Sequence, residues 1–337
     1  MGNEQKKAYP IASQPGKSQL AGIGIVLFAS ALFSSLGVLT NLAYEAGMSP
    51  VAFATWRETI GALAMAVLLL CGVGRPASSE RIPLSQIPRW QWRNLGIAAV
   101  AFMAYSLAIF YAFVHLTVAL ALLLFYIYPA LVTLISIATR RESFNVPKLI
   151  ALILALGGST MAIAGQLSEG GAVRFDALGI LLALGAALGM SIYFLIGRGG
   201  YPAIPASYAT TIFLTAGAVA FAVIGLAMGE KESLLQPFQV VSLWPMLLFA
   251  GIGGAAIPTM MLLTGIRMIG ASRASILAIF EPISGSVLAA FILGQMLSFV
   301  QIIAGVLILG AAVILQRTPE TLEDTSLASQ GNGIDIA

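Results

Sequence analysis

Charge is what this sequence has least of. Asp, Glu, Lys and Arg together make up 9% of its 337 residues, where a soluble domain carries roughly 25%. Hydrophobic residues account for 59%, and the mean hydropathy is +0.94, so water is excluded as the main solvent of the chain. Soft ligands are almost absent too. A single cysteine, Cys71, excludes an internal disulfide, and with a single histidine, His115, it leaves too few ligands for a zinc or iron–sulfur site. No metal and no cofactor are expected. The motifs HExxH and GxSxG and a phosphate-binding P-loop are missing, which argues against a membrane-embedded hydrolase and against direct ATP hydrolysis. The net charge of +3 and pI near 9.1 come from basic residues standing singly or in pairs between apolar blocks. That is not a nucleic-acid surface, and no nucleic-acid partner is expected.

What the sequence has in abundance is apolar runs of about twenty residues, the length a bilayer core imposes on a helix. Ten candidate spans follow, at approximately 20–41, 51–72, 95–114, 117–138, 148–166, 177–197, 205–228, 242–266, 272–293 and 298–316. The stretch from Leu95 to Thr139 is about twice one span, so a turn is expected near His115 and Leu116. His115 reads as an interfacial residue of that turn, with a proton-relay role as the alternative. With ten spans, one side of the membrane collects Lys6, Lys7, Lys17, Arg75, Arg81, Arg89, Arg93, Arg140, Arg141, Lys148, Arg198, Arg267, Arg273 and Arg317. The other collects only Arg174 and Lys231. Because basic loops are retained in the cytoplasm, both termini are expected there, most simply at the plasma (inner) membrane. Residues 1–19 read as a polar cytoplasmic tail and 317–337 as a disordered one. Trp90, Trp92 and Trp244 fall at span ends as interfacial anchors.

The chain also repeats itself. A shift of about 155 residues lays GIVLFASALFSS at Gly24 over GILLALGAALGM at Gly179 and brings Pro50, Ala54 and Thr55 onto Pro205, Ala209 and Thr210. A shift of about 153 brings Ala121, Pro129 and Gly157 onto Ala274, Pro282 and Gly310. The fold expected is therefore an all-α integral membrane protein of ten transmembrane helices in two five-helix repeats, 20–166 and 177–316, joined by a linker at 167–176. Five is odd, so the second repeat enters the membrane inverted, an architecture of secondary transporters that bind solute between the halves.

The segments YAFVHLTVALALLLFYIYPALVTLIS, TGIRMIGASRASILAIFEPISGSVLAA and LGQMLSFVQIIAGVLILGAAVIL carry a resemblance. With the duplication, they make residues 20–316 similar to the EamA-type branch of the drug/metabolite transporter superfamily. The resemblance implies a transporter or exporter of amino acids, related metabolites or drug-like amphiphiles, with a cavity lined by the third, fourth, eighth and ninth helices. One departure is Gln295, which stands where many relatives carry Glu; the corresponding place in the first half holds Glu142.

Prolines inside spans remove a hydrogen bond and clash with the carbonyl four residues back. Pro129, Pro258 and Pro282 are thus expected to kink their helices and to free the carbonyls of Phe125, Gly254 and Ala278, which must face protein or a cavity rather than lipid. Glu281 sits midway along the ninth span, where a carboxylate is costly and should face inward. Three roles remain open for it: protonatable coupling site, hydrogen-bonded strut of the cavity wall, or direct solute contact. Arg57 and Glu58 point about 100° apart on their helix and are not expected to pair well. Arg57 is a cavity candidate, with snorkelling to the interface as the alternative. Tyr105, Tyr126, Tyr128 and Thr259 add hydroxyls to apolar spans, as a solute pocket requires. Tyr111 and Tyr193 do the same, although each phenol is also an ordinary packed aromatic. The expected partners are a small-molecule substrate and the lipid bilayer, with proton or counter-solute coupling open. The competing class is a structural or sensory membrane protein without transport.

Overall fold

The computed structural model describes residues 15–72, 86–167, 176–293 and 299–317; among them every regular element is helical. Most of the two tails, the linker and Gln295 lie outside those residues. In the first half, α1 (Pro15–Phe33) and α2 (Ser35–Glu45) make one apolar run, followed by α3 (Pro50–Leu70) and α4 (Arg89–His115). Then come α5 (Val118–Phe125), α6 (Tyr128–Ala138) and α7 (Val146–Leu167). The second half has α8 (Ala177–Gly197), α9 (Ala206–Ala227) and the short α10 (Lys231–Gln239). It continues with α11 (Trp244–Gly251), a five-residue π-helical stretch at Ile252–Ala256, and α12 (Ile257–Ile269). It closes with α13 (Ala271–Ala278), α14 (Phe280–Leu293) and α15 (Phe299–Arg317).

Local chemistry sets several of these boundaries. Ser49 caps α3 by accepting from the Ala52 amide, and Pro50 occupies the first helical position, where its missing N–H costs nothing. Asp176 caps α8 through the Leu178 amide at 2.8 Å. The expected turn after the third span lies between His115, which ends α4, and Val118, which begins α5. Seven runs among the described residues are long and apolar enough to cross a bilayer, and Val146–Met161 and Ile302–Arg317 are shorter apolar helices. Large apolar side chains on the outer faces, such as Phe28, Leu63, Leu70, Leu134 and Val306, are exposed. A water-soluble bundle would bury them; this one is an integral membrane protein.

The packing obeys a two-fold exchange. Swapping α1 with α8, α3 with α9, α4 with α11–α12, α5–α6 with α13–α14 and α7 with α15 turns one set of neighbours into the other. Thus α4 packs on α8 as α12 packs on α1, and α5 and α6 touch α8 as α13 and α14 touch α1. The pairs α3 with α9 and α7 with α15 map onto themselves and join the halves, and α6 with α13 joins them as well.

Two sequence expectations change form. Pro129 and Pro282 interrupt helical order while the backbone stays near-helical: α5 stops at Phe125 and α6 starts at Tyr128, and α13 stops at Ala278 and α14 starts at Phe280, with each proline in the first turn of the restarted piece. An early-turn proline has no helical hydrogen bond to lose, so a break is the cheaper solution. Pro258, at the start of α12, follows the π-helical stretch, where the extra residue per turn absorbs its clash.

Candidate functional site

The two broken helices pack on each other through α6 and α13. Tyr128, at the start of α6 and 1% exposed, directs its hydroxyl to the Ser275 carbonyl of α13 at 3.5 Å. Its own carbonyl accepts from Ser191 Oγ of α8 at 3.3 Å. One residue therefore ties both breaks to a third helix, because a restarted helix leaves backbone groups in need of partners. Around it the rings are continuous: Tyr105 stacks on Phe125 at 6.2 Å, Phe125 lies 5.1 Å from Tyr128, and Tyr128 lies 5.5 Å from Phe194. Glu281, at the start of α14 and partly buried, faces this wall. The Tyr126 hydroxyl stands beside its carboxylate but outside ordinary hydrogen-bond geometry.

Arg57 is fully enclosed, 2% exposed, so the snorkelling alternative fails. Its Nη2 donates to the Gly254 carbonyl at 2.8 Å, its Nη1 to Glu58 Oε1 at 2.5 Å, and its guanidinium lies 5.8 Å from the Phe110 ring centroid. Gly254 is the residue whose carbonyl Pro258 was expected to free, and the arginine of another helix takes it up. The expectation that Arg57 and Glu58 would not pair is wrong. Their Cα–Cβ bonds diverge, but the long arginine stem lets the guanidinium swing back over the neighbouring carboxylate. Glu58 is 0% exposed, packs against Gly217 of α9, and keeps its second oxygen without a protein partner. A Cβ at position 217 would meet Glu58 Cγ at 3.3 Å, so glycine there lets the buried carboxylate in.

Arg57, Glu281, Tyr105, Tyr126 and Tyr128 thus share one electrostatic neighbourhood. Thr259 is buried, and its hydroxyl has no protein partner. Tyr111 faces outward to Met228, and Tyr193 packs on Phe102, Phe194 and Phe213, which continue the central rings through Phe102–Tyr105 and Phe194–Tyr128. His115 bonds Asp176 at 2.7 Å at the far end of α4. The sequence reading did not single out Phe110 or Ser191, and it set Glu58 aside; only Glu58 carried a signal, as a second charge inside a span. Chemically, the centre offers a carboxylate, a guanidinium and aromatic faces. That is an equipment for holding a solute, with no nucleophile paired to a base.

The model of the EamA-like transporter family matches this chain twice, over residues 20–164 and 177–317. The chain belongs to that family. Its two matched stretches are the family's repeats, and with the apolar helices they make it a membrane transporter. An uncharacterized transporter of Bacillus subtilis (strain 168), YwfM, is 25% identical over 302 residues, covering 88% of this chain and 95% of the relative. A solved crystal structure superposes with a TM-score of 0.70 at 20% identity, over 89% of this chain and 96% of that one. At that identity it speaks for the fold alone.

Proposed function

We propose that this EamA-family protein is a secondary transporter that exports small organic solutes (amino acids, related metabolites or amphiphilic drugs) by alternating access. In this reading ten helices cross the plasma (inner) membrane as inverted five-helix repeats, 20–166 and 177–316, with the linker 167–176 outside and both tails cytoplasmic. The observation that carries it is the meeting of two broken helices, α5–α6 and α13–α14, at Tyr128, Ser275 and Glu281. Discontinuous helices facing each other near mid-membrane are how inverted-repeat transporters present polar groups to solute. Glu281 supplies an acceptor for a solute amine, Tyr105, Tyr126 and Tyr128 supply π faces and hydroxyls, and Arg57 supplies the opposing cation. Thr259 lines the same cavity from α12. Pro129, Pro258 and Pro282 hold the interruptions open, and a proton or counter-solute gradient drives the cycle.

Two experiments test this. Flux measured in proteoliposomes across a panel of amino acids, nucleosides and cationic amphiphiles should single out one class, whereas no flux for any of them favours a structural or sensory role. Single cysteines at Glu45, Glu169 and Lys231 in a Cys71→Ser background should react with impermeant thiol reagents from outside, and those at Arg81, Arg141 and Gln330 should not. Reversed labelling at any loop removes the ten-span topology.

A further inference from the structure

A second charged cluster lies away from the solute site, at the end of the bundle where α6 stops. Glu142 sits in the α6–α7 turn and its side chain is 4% exposed. Its Oε2 accepts from Lys148 Nζ at 3.2 Å, and its Oε1 accepts from Arg198 Nη1 at 2.8 Å and lies 3.5 Å from the Ser272 amide. Lys148 belongs to the same half as Glu142, whereas Arg198, at the end of α8, and Ser272, in the first turn of α13, belong to the other. The carboxylate therefore joins three helices across the seam between the halves. The bonds nearby are of another kind. Asn94 donates to the Gly200 carbonyl and Gln91 accepts from the Ala203 amide, uncharged bonds that link α4 to the α8–α9 connection.

The asymmetry of partners makes the cross-seam bonds breakable. Removing the only partner of a buried charge is costly, because the charge is left uncompensated. Glu142 avoids this, since Lys148 stays beside it whichever way the halves move. Arg198 is 22% exposed, so water can take over its guanidinium when it leaves. Gly270, the turn between α12 and α13, has φ +87°, and a Cβ there would meet Arg198 Nη1 at 3.0 Å. Glycine thus supplies both the turn and the flat surface on which the guanidinium rests.

We propose that Glu142 is a gate residue of the transport cycle: its bonds to Arg198 and Ser272 close the seam between α6, α8 and α13, and their release opens the way from this end of the bundle to Tyr128 and Glu281. The proposal rests on the alternating-access reading above, but its test needs no solute, so failure of the gate and failure of transport are told apart. Ser275, fully buried one turn beyond Ser272 on α13, is the reporter. In a Cys71→Ser, Ser275→Cys background in nanodiscs, the rate of reaction with N-ethylmaleimide reads how often the seam opens. Arg198→Gln leaves the Glu142–Lys148 pair in place and should speed labelling by about tenfold, the scale set by one lost charge-assisted hydrogen bond. Arg198→Lys, which keeps the charge, should bring the rate back towards the parent. A static strut predicts no change. Labelling of Arg198→Gln within about twofold of the parent, or an equal acceleration by Arg198→Lys, overturns the proposal.

Discussion

The two halves of this transporter share a backbone plan and differ in chemistry. The break between α5 and α6 and the break between α13 and α14 fall at equivalent places, each followed within the first turn of the restarted helix by the paired prolines Pro129 and Pro282. At the residue before each proline, the first half places Tyr128 and the second Glu281. Tyr128 is enclosed and bonded across to α13, whereas Glu281 is only partly buried and faces phenols. The second half adds a π-helical interruption at Ile252–Ala256, where the equivalent stretch of α4 is regular helix. Duplication thus preserves what shapes the chain, the prolines and the packing partners. It leaves free which side chain stands at the break. A two-fold frame with unlike groups at its centre can bind a solute that has no symmetry of its own.

The largest effect should come from the group that closes the second half's extra interruption. Arg57→Met removes the partner of a fully buried Glu58 and leaves the Gly254 carbonyl unpaired. Breaking a buried pair from one side typically costs about 3–5 kcal/mol. Thermal unfolding in detergent should show a large drop, and the double variant Arg57→Met/Glu58→Leu should recover most of it. A double variant as unstable as the single one would mean that the carbonyl, not the carboxylate, makes Arg57 necessary.

Much of this frame is readable from sequence, because it follows from rules that act within about twenty residues. Apolar run length places the helices, the His115–Leu116 turn is forced by a run too long for one span, and Pro258 identifies Gly254 as the carbonyl in need. Contacts between distant segments are not so readable. The donor that reaches Gly254 lies 197 residues away, and Glu142 meets Arg198 and Ser272 at separations of 56 and 130 residues. The Arg57–Glu58 pair escapes the angular period of the helix, which fixes where a side chain starts and says nothing of where a five-bond stem ends.

The next effect sharpens the comparison between the paired residues themselves. Glu281→Gln keeps shape and hydrogen bonding but removes the charge and the titrating proton, and gradient-driven transport should fall by about tenfold or more with folded yield retained. Tyr128→Phe deletes one long, neutral hydrogen bond and should cost at most about 1 kcal/mol of stability, with transport reduced only severalfold. Equal losses from the two variants would erase the functional difference between the halves. Solute exchange surviving in Glu281→Gln assigns the carboxylate to coupling; transport unaltered by that substitution between about pH 6 and 8 eliminates such a role.

The smallest effect concerns the entry to the second half. Asp176 caps α8, whereas at the equivalent Ala21 the first half's α1 is already in mid-helix. The hydrogen bond from His115, and then the one from the Leu178 amide, hold the Asp176 carboxyl below the usual carboxylate range. A carboxyl whose pKa is depressed by folding contributes stability that is fully present above its unfolded pKa and is lost as the pH falls through the folded one. The contribution should therefore be constant at neutral pH and should disappear below about pH 4. Because the side chain is exposed, solvent screens it and the change is small, a few degrees of Tm at most. Comparing the protein with Asp176→Asn cancels the titrating groups that do not touch Asp176, which leaves Asp176 and its partner His115. The gap in Tm between the two should be widest above about pH 5 and should close as the medium is acidified towards the folded pKa. His115→Ala should move that closure to higher pH, because the largest cause of the depression is then gone. A gap independent of pH would show that the cap acts through shape alone, and that the two helix entries differ in sequence without differing in energy.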